Sequence, residues 1–448
     1  MSLRKTFLLL ALLLTLAPAW AQIGQRFPSE KRVVNDPVTG TPLTFLTTQP
    51  RGDSKIYPSH PQWTADGQWL VFRSARVKGE AIAVNEASGE MVQVTEGGYE
   101  GMLNLARSGG NKLYFLRKAP EPKAMQAIEV DLDHVFADSK AGSMKPAGSY
   151  QRVIGTLPAE LEAVGDNALD ADGQWFYYLI QGKAYAGARL APGTQIEPPF
   201  GPRGMGAGPH AIGKIHVQTG EIMHVVSVPF QIGHIQANLW NPGELVFSWE
   251  TGGKSPQRTW TVKGDGSGLR PLYPEAPYEW VTHEAVIGKD EVALAIMGHR
   301  AIPGVEDPRR AAGTDVGGAN PGQDAAWGNS GTREKPTGLA IVNLRTREVN
   351  LVGQTPSGSG LWHVHGSPDG RFATGDDFGR SLYLIDRKSR EMMVLTTGHK
   401  TTARDHIHPT FSPDGRKIQI QSALLSADGR EMNICIVPVP KAWLERQP

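Results

Sequence analysis

A histidine returns at one fixed place in a repeated unit, and that repeat constrains the fold more than any other feature of the chain. The unit is a strand, an Asp-Gly turn and a second strand ending in Phe or an aliphatic residue. It reads HPQWTADGQWLVF from His60, HVHGSPDGRF from His363 and HPTFSPDGRKI from His408, each histidine standing seven residues before the turn glycine. THEAVIGKDEVAL, from Thr282, puts His283 at the same offset from Asp290, which stands where that glycine would be. Equivalent positions in equivalent repeats point to one place in space.

Repeats of this length mark a closed radial architecture. Period-two alternation in Gln68–Arg73, Lys112–Leu116, Glu244–Trp249 and Lys417–Gln421, with turn residues between, gives strands rather than helices. Seven units begin near His60, Gly101, Val164, Gly233, Val281, Gly360 and His406, each with room for four short strands. The last holds about three strands before Pro438, while an extra extended segment, Lys31–Gln49, precedes the first. An open ring would leave a bare sheet edge, so that segment is expected to pair with the C-terminal unit. The reading is an all-β, seven-bladed β-propeller closed by an N-terminal strand.

Composition agrees with one large β domain spanning residues 22–448. Hydrophobic residues make up 40% of the 448, enough for a core, and 52 Gly with 33 Pro suit a fold made mostly of turns. The net charge of +1 and the lack of a polybasic run argue against nucleic acid or anionic membrane as partner. Residues 1–21 read as a signal peptide: Arg4 and Lys5, an apolar run Phe7–Leu16 too short for a membrane anchor, then Ala19-Trp20-Ala21 before Gln22. With one cysteine, Cys435, there is no intrachain disulfide, and a periplasmic or secreted location is expected. Two stretches, Tyr185–Ala211 and Ala301–Pro336, are rich in Gly, Pro, Ala and Arg and break the rhythm, as lids, binding walls or decorative loops.

The first strand of a propeller blade lines the central channel, so a residue at its start sits on the channel rim. By offset the rim positions are His60, Leu103, Asp166, Gln236, His283, His363 and His408, and His234 stands two residues ahead of its position. A shift of two keeps a strand side chain on the same face. Any one of these histidines is explained by hydrogen bonding between blades; the set points to a site. His406 and His408, two apart, share a face and with His283 from another blade can form a three-imidazole metal site. His363 and His365 have the same spacing, and a second ion there would need carboxylate partners such as Asp376 and Asp377.

The stretch DHIHPTFSPDGRKIQIQSALLSADGREMNICIVPVPKAW resembles the closing blade of the oligogalacturonate lyases, VTHEAV their Thr-His-Glu segment, and GHIQANLWNPGELVF and LWHVHGSPDG their Gly-His and Ser-His segments. The resemblance spans about 230–448. It implies a seven-bladed propeller that binds a manganese-type divalent ion and breaks uronate chains, such as those of pectin, by β-elimination. Position by position, it implies His283, His406 and His408 as metal ligands and His234 as proton acceptor. The family's glutamine before the histidine pair is Ala403 here, which leaves a fourth ligand to Asp405, another group or water. Its catalytic arginine falls near Ala211, so Arg203 is the expected substitute and Arg189 a substrate contact, with His60, His363 and Asp166 also left to bind a uronic-acid oligosaccharide.

A uronate C5 proton is weakly acidic beside an anionic carboxylate, so a cation must neutralise that carboxylate and a neutral imidazole take the proton. Glycoside hydrolysis needs paired carboxylates, and the rim offers only Asp166. The rival reading is a non-catalytic propeller like that of the periplasmic Tol system, which shares the Asp-Gly turns and binds a protein or glycan partner. Three gathered imidazoles would separate the two.

Overall fold

The computed structural model describes residues 22–199, 204–251, 255–275, 281–296, 338–354 and 361–446. The expected leader, 1–21, and the second interruption, Ala301–Pro336, fall outside them.

Seven antiparallel sheets form the blades. Their innermost strands are Ser54–Lys55, Glu100–Leu105, Ala163–Leu169, Ile232–Ala237, Val281–Gly288, Leu361–Gly366 and Thr410–Phe411, for blades 1 to 7 in order. Alternation along each strand sends side chains to both neighbouring blades. In Trp69–Arg73, for example, Val71 joins a cluster shared with blade 2, while Leu70 and Phe72 join one shared with blade 7. Seven of the apolar clusters among the described residues lie one at each interface around the ring.

The ring closes as the sequence predicts. The N-terminal hairpin Arg32–Asn35 and Pro42–Phe45 completes blade 7, Thr44 and Phe45 pairing with Ile436 and Cys435. Cys435 is fully buried in that strand, and burial raises its thiol pKa. Arg26–Phe27 caps the outer edge of blade 1. No helix among the described residues is long and apolar enough to cross a membrane.

Two local expectations change. The inner strands of blades 1 and 7 shrink to two residues, because Pro58, Pro61 and Pro409 lack the N–H a ladder needs. Conversely Ala207–Ala211, read as loop, begins the strand Ala207–His216. Gly208 there presses on the next strand so closely that a Cβ would lie 1.9 Å from the Pro229 carbonyl oxygen, so the glycine permits pairing instead of breaking it.

Candidate functional site

The inner strands of blades 3 to 6 share one irregularity. Their pairing with the second strand slips between Val164 and Asn167, Gly233 and Gln236, Val281 and Glu284, and Leu361 and Val364. In blades 4 to 6 two residues there oppose one, and in blade 3 two residues are inserted between adjacent partners, bulges that re-aim side chains. Asp166, His234, His283 and His363 all lie within these bulges. His234 therefore reaches the other histidines through its bulge, rather than through the simple alternation expected of a flat strand.

His234, His283, His363 and His408, from four successive blades, surround Tyr57, with ring centroids 5.1, 6.4, 6.1 and 5.4 Å from it. They line a cavity of about 330 Å³ with Lys55, Arg73, Trp362 and Asp405. His363 is central: its ring lies 4.2 Å from His283, 3.9 Å from His408 and 5.2 Å from His406. Asp376, fully buried on the second strand of blade 6, accepts from the His363 backbone N–H at 2.7 Å and stands 3.2 Å from His363 Nδ1 and 2.9 Å from His406 Nδ1. His363, Asp376 and His406 are the group whose donor atoms approach within 4.8 Å of one another. This group shares only His406 with the trio expected from the resemblance, although His283 and His408 flank it. His406 and His408 do not sit on a strand; they occupy irregular backbone before Pro409, with His408 at φ 52°.

Protonation states follow from the packing. Two imidazolium charges ~4 Å apart would repel by about 4 kcal/mol even at an effective dielectric of ~20. Burial, and then the charge of His408, push His363 down to about 3 despite Asp376. His283 falls well below the ordinary range through burial and the neighbouring His363, His234, Arg258 and His408. His408 is lowered by burial more than Asp405, 3.3 Å from its Nε2, raises it. Neutral imidazoles are what metal ligation needs. Asp376, by engaging the Nδ1 atoms of His363 and His406, leaves their Nε2 atoms for an ion, the carboxylate–histidine arrangement common around metals. The buried Nδ1 of His283 has no hydrogen-bond partner. The donor set fits a divalent cation of the imidazole-binding kind.

His234 is in a different setting. Its Nδ1 lies 2.9 Å from Glu284 Oε1, and Glu284 is held by Arg258, whose Nε is 3.0 Å from Oε2. Arg258 also pairs with Glu250 at 3.3 Å. Burial alone would lower the His234 pKa, but Glu284 outweighs it and leaves the group raised. Nδ1 thus faces Glu284, and Nε2 stands 3.7 Å from Glu250 Oε2. Asp166 accepts from the Ile235 N–H at 3.1 Å, pinning this bulge, and its own carboxyl is raised to about 6 by burial.

The remaining expected residues lie elsewhere. His60 is engaged at both ring nitrogens, with Ser59 Oγ at 2.9 Å and the Asn167 carbonyl at 2.7 Å, and faces a second cavity beside His365 and Trp240. Gln236 clips blade 4 to blade 5 through the Glu284 carbonyl and Val286 N–H, and Leu103 is core. Arg189 is exposed and stacks on Tyr185 at 3.6 Å, with none of its contacts in the histidine group. Arg203 lies outside the described residues. Tyr57 and Arg258 were not singled out from the sequence, since neither occupies the repeated histidine position; Asp376 was named only as a carboxylate for a second ion beside His363 and His365, and Glu284 only as part of the Thr-His-Glu segment.

Compared with known proteins, the chain matches no family profile and no curated sequence. Solved structures are similar. An oligogalacturonate lyase in complex with manganese is 16% identical, with a TM-score of 0.69 over 95% of this chain and 100% of that one. An oligogalacturonate lyase from Vibrio parahaemolyticus is 18% identical, with a TM-score of 0.68 over 94% and 100%. The chain has the oligogalacturonate lyase fold. A TolB-like protein from Agrobacterium tumefaciens reaches a TM-score of only 0.39 at 12% identity over 92% of this chain and 98% of that one, too low to carry an argument.

Proposed function

We propose that this chain is a metal-dependent lyase that cleaves a uronic-acid oligosaccharide, oligogalacturonate first, by β-elimination. The carrying observation is the convergence of His283, His363 and His408 from three blades into ring contact at 4.2 and 3.9 Å, with His234 held apart by Glu284. Neutral imidazoles in contact gain little from one another, whereas a shared cation gives the cluster a purpose. That is the feature a docking propeller has no reason to assemble.

His283, His363, His406 and His408 would hold the ion, with Asp376 orienting two of them and Asp405 beside the fourth. A divalent ion, manganese first because a lyase of this fold was solved with it, supplies positive charge against the uronate carboxylate. The chain's own residues do the rest. His234 receives the C5 proton at Nε2 and Glu284 steadies the imidazolium that results; the C5 electron pair forms the C4–C5 double bond as the C4–O bond breaks, and the leaving oxygen takes a proton from solvent. Arg258, matched by Glu284 and Glu250, fixes the carboxylate that aims the base. Trp362, 5.0 Å from Phe378 and 5.9 Å from His406, offers an apolar ledge for a sugar ring. Arg203 remains the proposed catalytic arginine; His60, Asp166 and Arg189, which do not line the histidine cavity, would contact only a substrate that extends beyond it. The leader read in residues 1–21 puts the reaction in the periplasm or outside the cell.

Elimination leaves a double bond conjugated to the carboxylate, so digestion of oligogalacturonate should generate new ultraviolet absorbance, which a chelator stops and manganese restores. No unsaturated product from a broad panel of uronate oligomers, with manganese, calcium or zinc supplied, overturns the reading.

A further inference from the structure

We infer that Arg73 binds a second carboxylate of the substrate, making the cavity selective for adjacent unesterified uronates. The inference rests on the lyase reading and names the residue that sets its substrate class.

Arg73 ends the second strand of blade 1, opposite Ser54 on one side and Ala81 on the other, and lines the cavity shared by the four histidines. Its Nη2 donates to the Gly101 carbonyl at 3.0 Å, and its Nε is buried without a hydrogen-bond partner. No carboxylate lies within ion-pair distance of it among the described residues. Arg258, a buried arginine near the cluster, already pairs with Glu284 and Glu250 and has no charge left to offer.

The rest of blade 1 strengthens the case. Lys55, 3% exposed, lines the same cavity and spends its Nζ on neutral partners, the Thr410 hydroxyl at 2.8 Å and the Ile56 carbonyl at 3.2 Å. Tyr57, between this wall and the histidines, has a buried hydroxyl with no partner. Asp405 is the cavity's one lining carboxylate among the described residues, and it is engaged with His408. The half-buried guanidinium, with its Nε buried and unpartnered, and an ammonium bonded only to neutral groups leave donors for an incoming carboxylate, which would gain paired, charge-assisted hydrogen bonds there. The guanidinium is also preorganised. Gly101, its anchor, is at φ 72° and crosses blade 3 so tightly that a Cβ would lie 2.1 Å from the Gly165 carbonyl oxygen.

Arg73 belongs to blade 1, whereas the proposed ion ligands come from blades 5 to 7. One carboxylate cannot be the partner of both walls while its ring presents a proton to His234. The acid at Arg73 is therefore that of the neighbouring sugar.

The test is calorimetric binding of trigalacturonate and its fully methyl-esterified form to the full manganese-supplemented chain, as wild type, Arg73→Met and Arg73→Lys, with steady-state kinetics alongside. Wild type should prefer the acid, and Arg73→Met should lose about tenfold or more in affinity for the acid but not for the ester. Arg73→Lys, which keeps a donor for Gly101, should raise KM with kcat largely retained. It also provides the answer if the Met variant does not fold. Discrimination below about threefold by wild type, or equal discrimination by a folded variant, overturns the inference. Product formation with Arg73 variants unaffected removes this inference alone; acid-selective binding through Arg73 without product removes the lyase reading alone.

Discussion

His234 and His408 both hold a backbone φ of 52°, in the left-handed region that side chains other than glycine rarely enter. Such a conformation costs on the order of 1 kcal/mol or more and persists where the surroundings impose it, commonly at functional sites. His234 is the proposed base and His408 one of the proposed ligands, and substitution separates the base from the ligand set. His234→Ala should cut turnover by about a hundredfold or more, the scale of a lost general base, while leaving bound manganese unchanged. His363→Ala should lose both metal and activity, and Asp376→Asn should weaken metal affinity about tenfold to a hundredfold by freeing two imidazoles. Metal content and product absorbance on the same samples check all three. Retention of metal by His363→Ala would return the site to the trio implied by resemblance, without His363.

At the scale of elements, the repeat boundaries placed the start of five of the seven inner strands to within about a residue, while period-two alternation marked second strands. Blades 1 and 7 were harder because prolines cut their inner strands short, and this moves His60 out of the position its repeat suggests. Bulges cannot be read from alternation, so the sequence suggested that His234 belonged with the others but not by what geometry. Arg258 was invisible for another reason: it stands at the edge of a third strand, where a lone polar residue has no repeat to mark it, whereas Asp376 was legible only as a carboxylate for a second ion beside His363 and His365. The closing hairpin was legible, and its fastening is testable. Asp36 accepts the Val38 and Thr39 N–H groups at 2.8 Å, the Thr397 N–H at 2.7 Å and the Thr396 hydroxyl at 2.5 Å, tying the hairpin to blade 6. Burial by itself raises this carboxyl, but those donors outweigh it and lower it from 3.8 to about 2. A depressed carboxyl stabilises the fold above its unfolded pKa and loses that contribution as pH falls toward the folded one. The shift corresponds to about 2 kcal/mol, complete near neutral pH and roughly halved by pH ~3. Denaturant unfolding of wild type and Asp36→Asn should show that difference shrinking on acidification; a difference constant from pH ~6 to ~3 would contradict it.

For the molecule as a whole, seven interface cores hold the blades as a ring, and the ring is what brings residues of distant sequence to one point. Histidines from four blades and the aromatic ring of a fifth meet at one cavity, while His60 and His365 line another. A ligand bound by several blades at once should also stabilise the whole ring, by about 2.7 kcal/mol at a hundred times its Kd. The most direct test of the account is anomalous diffraction from crystals of the full chain grown with manganese. The account predicts a single strong peak bounded by the imidazoles of His283, His363, His406 and His408, at roughly 2.0–2.3 Å from its nitrogen ligands. Manganese-containing crystals with no peak in that cavity, or with the ion bound only elsewhere, would contradict it.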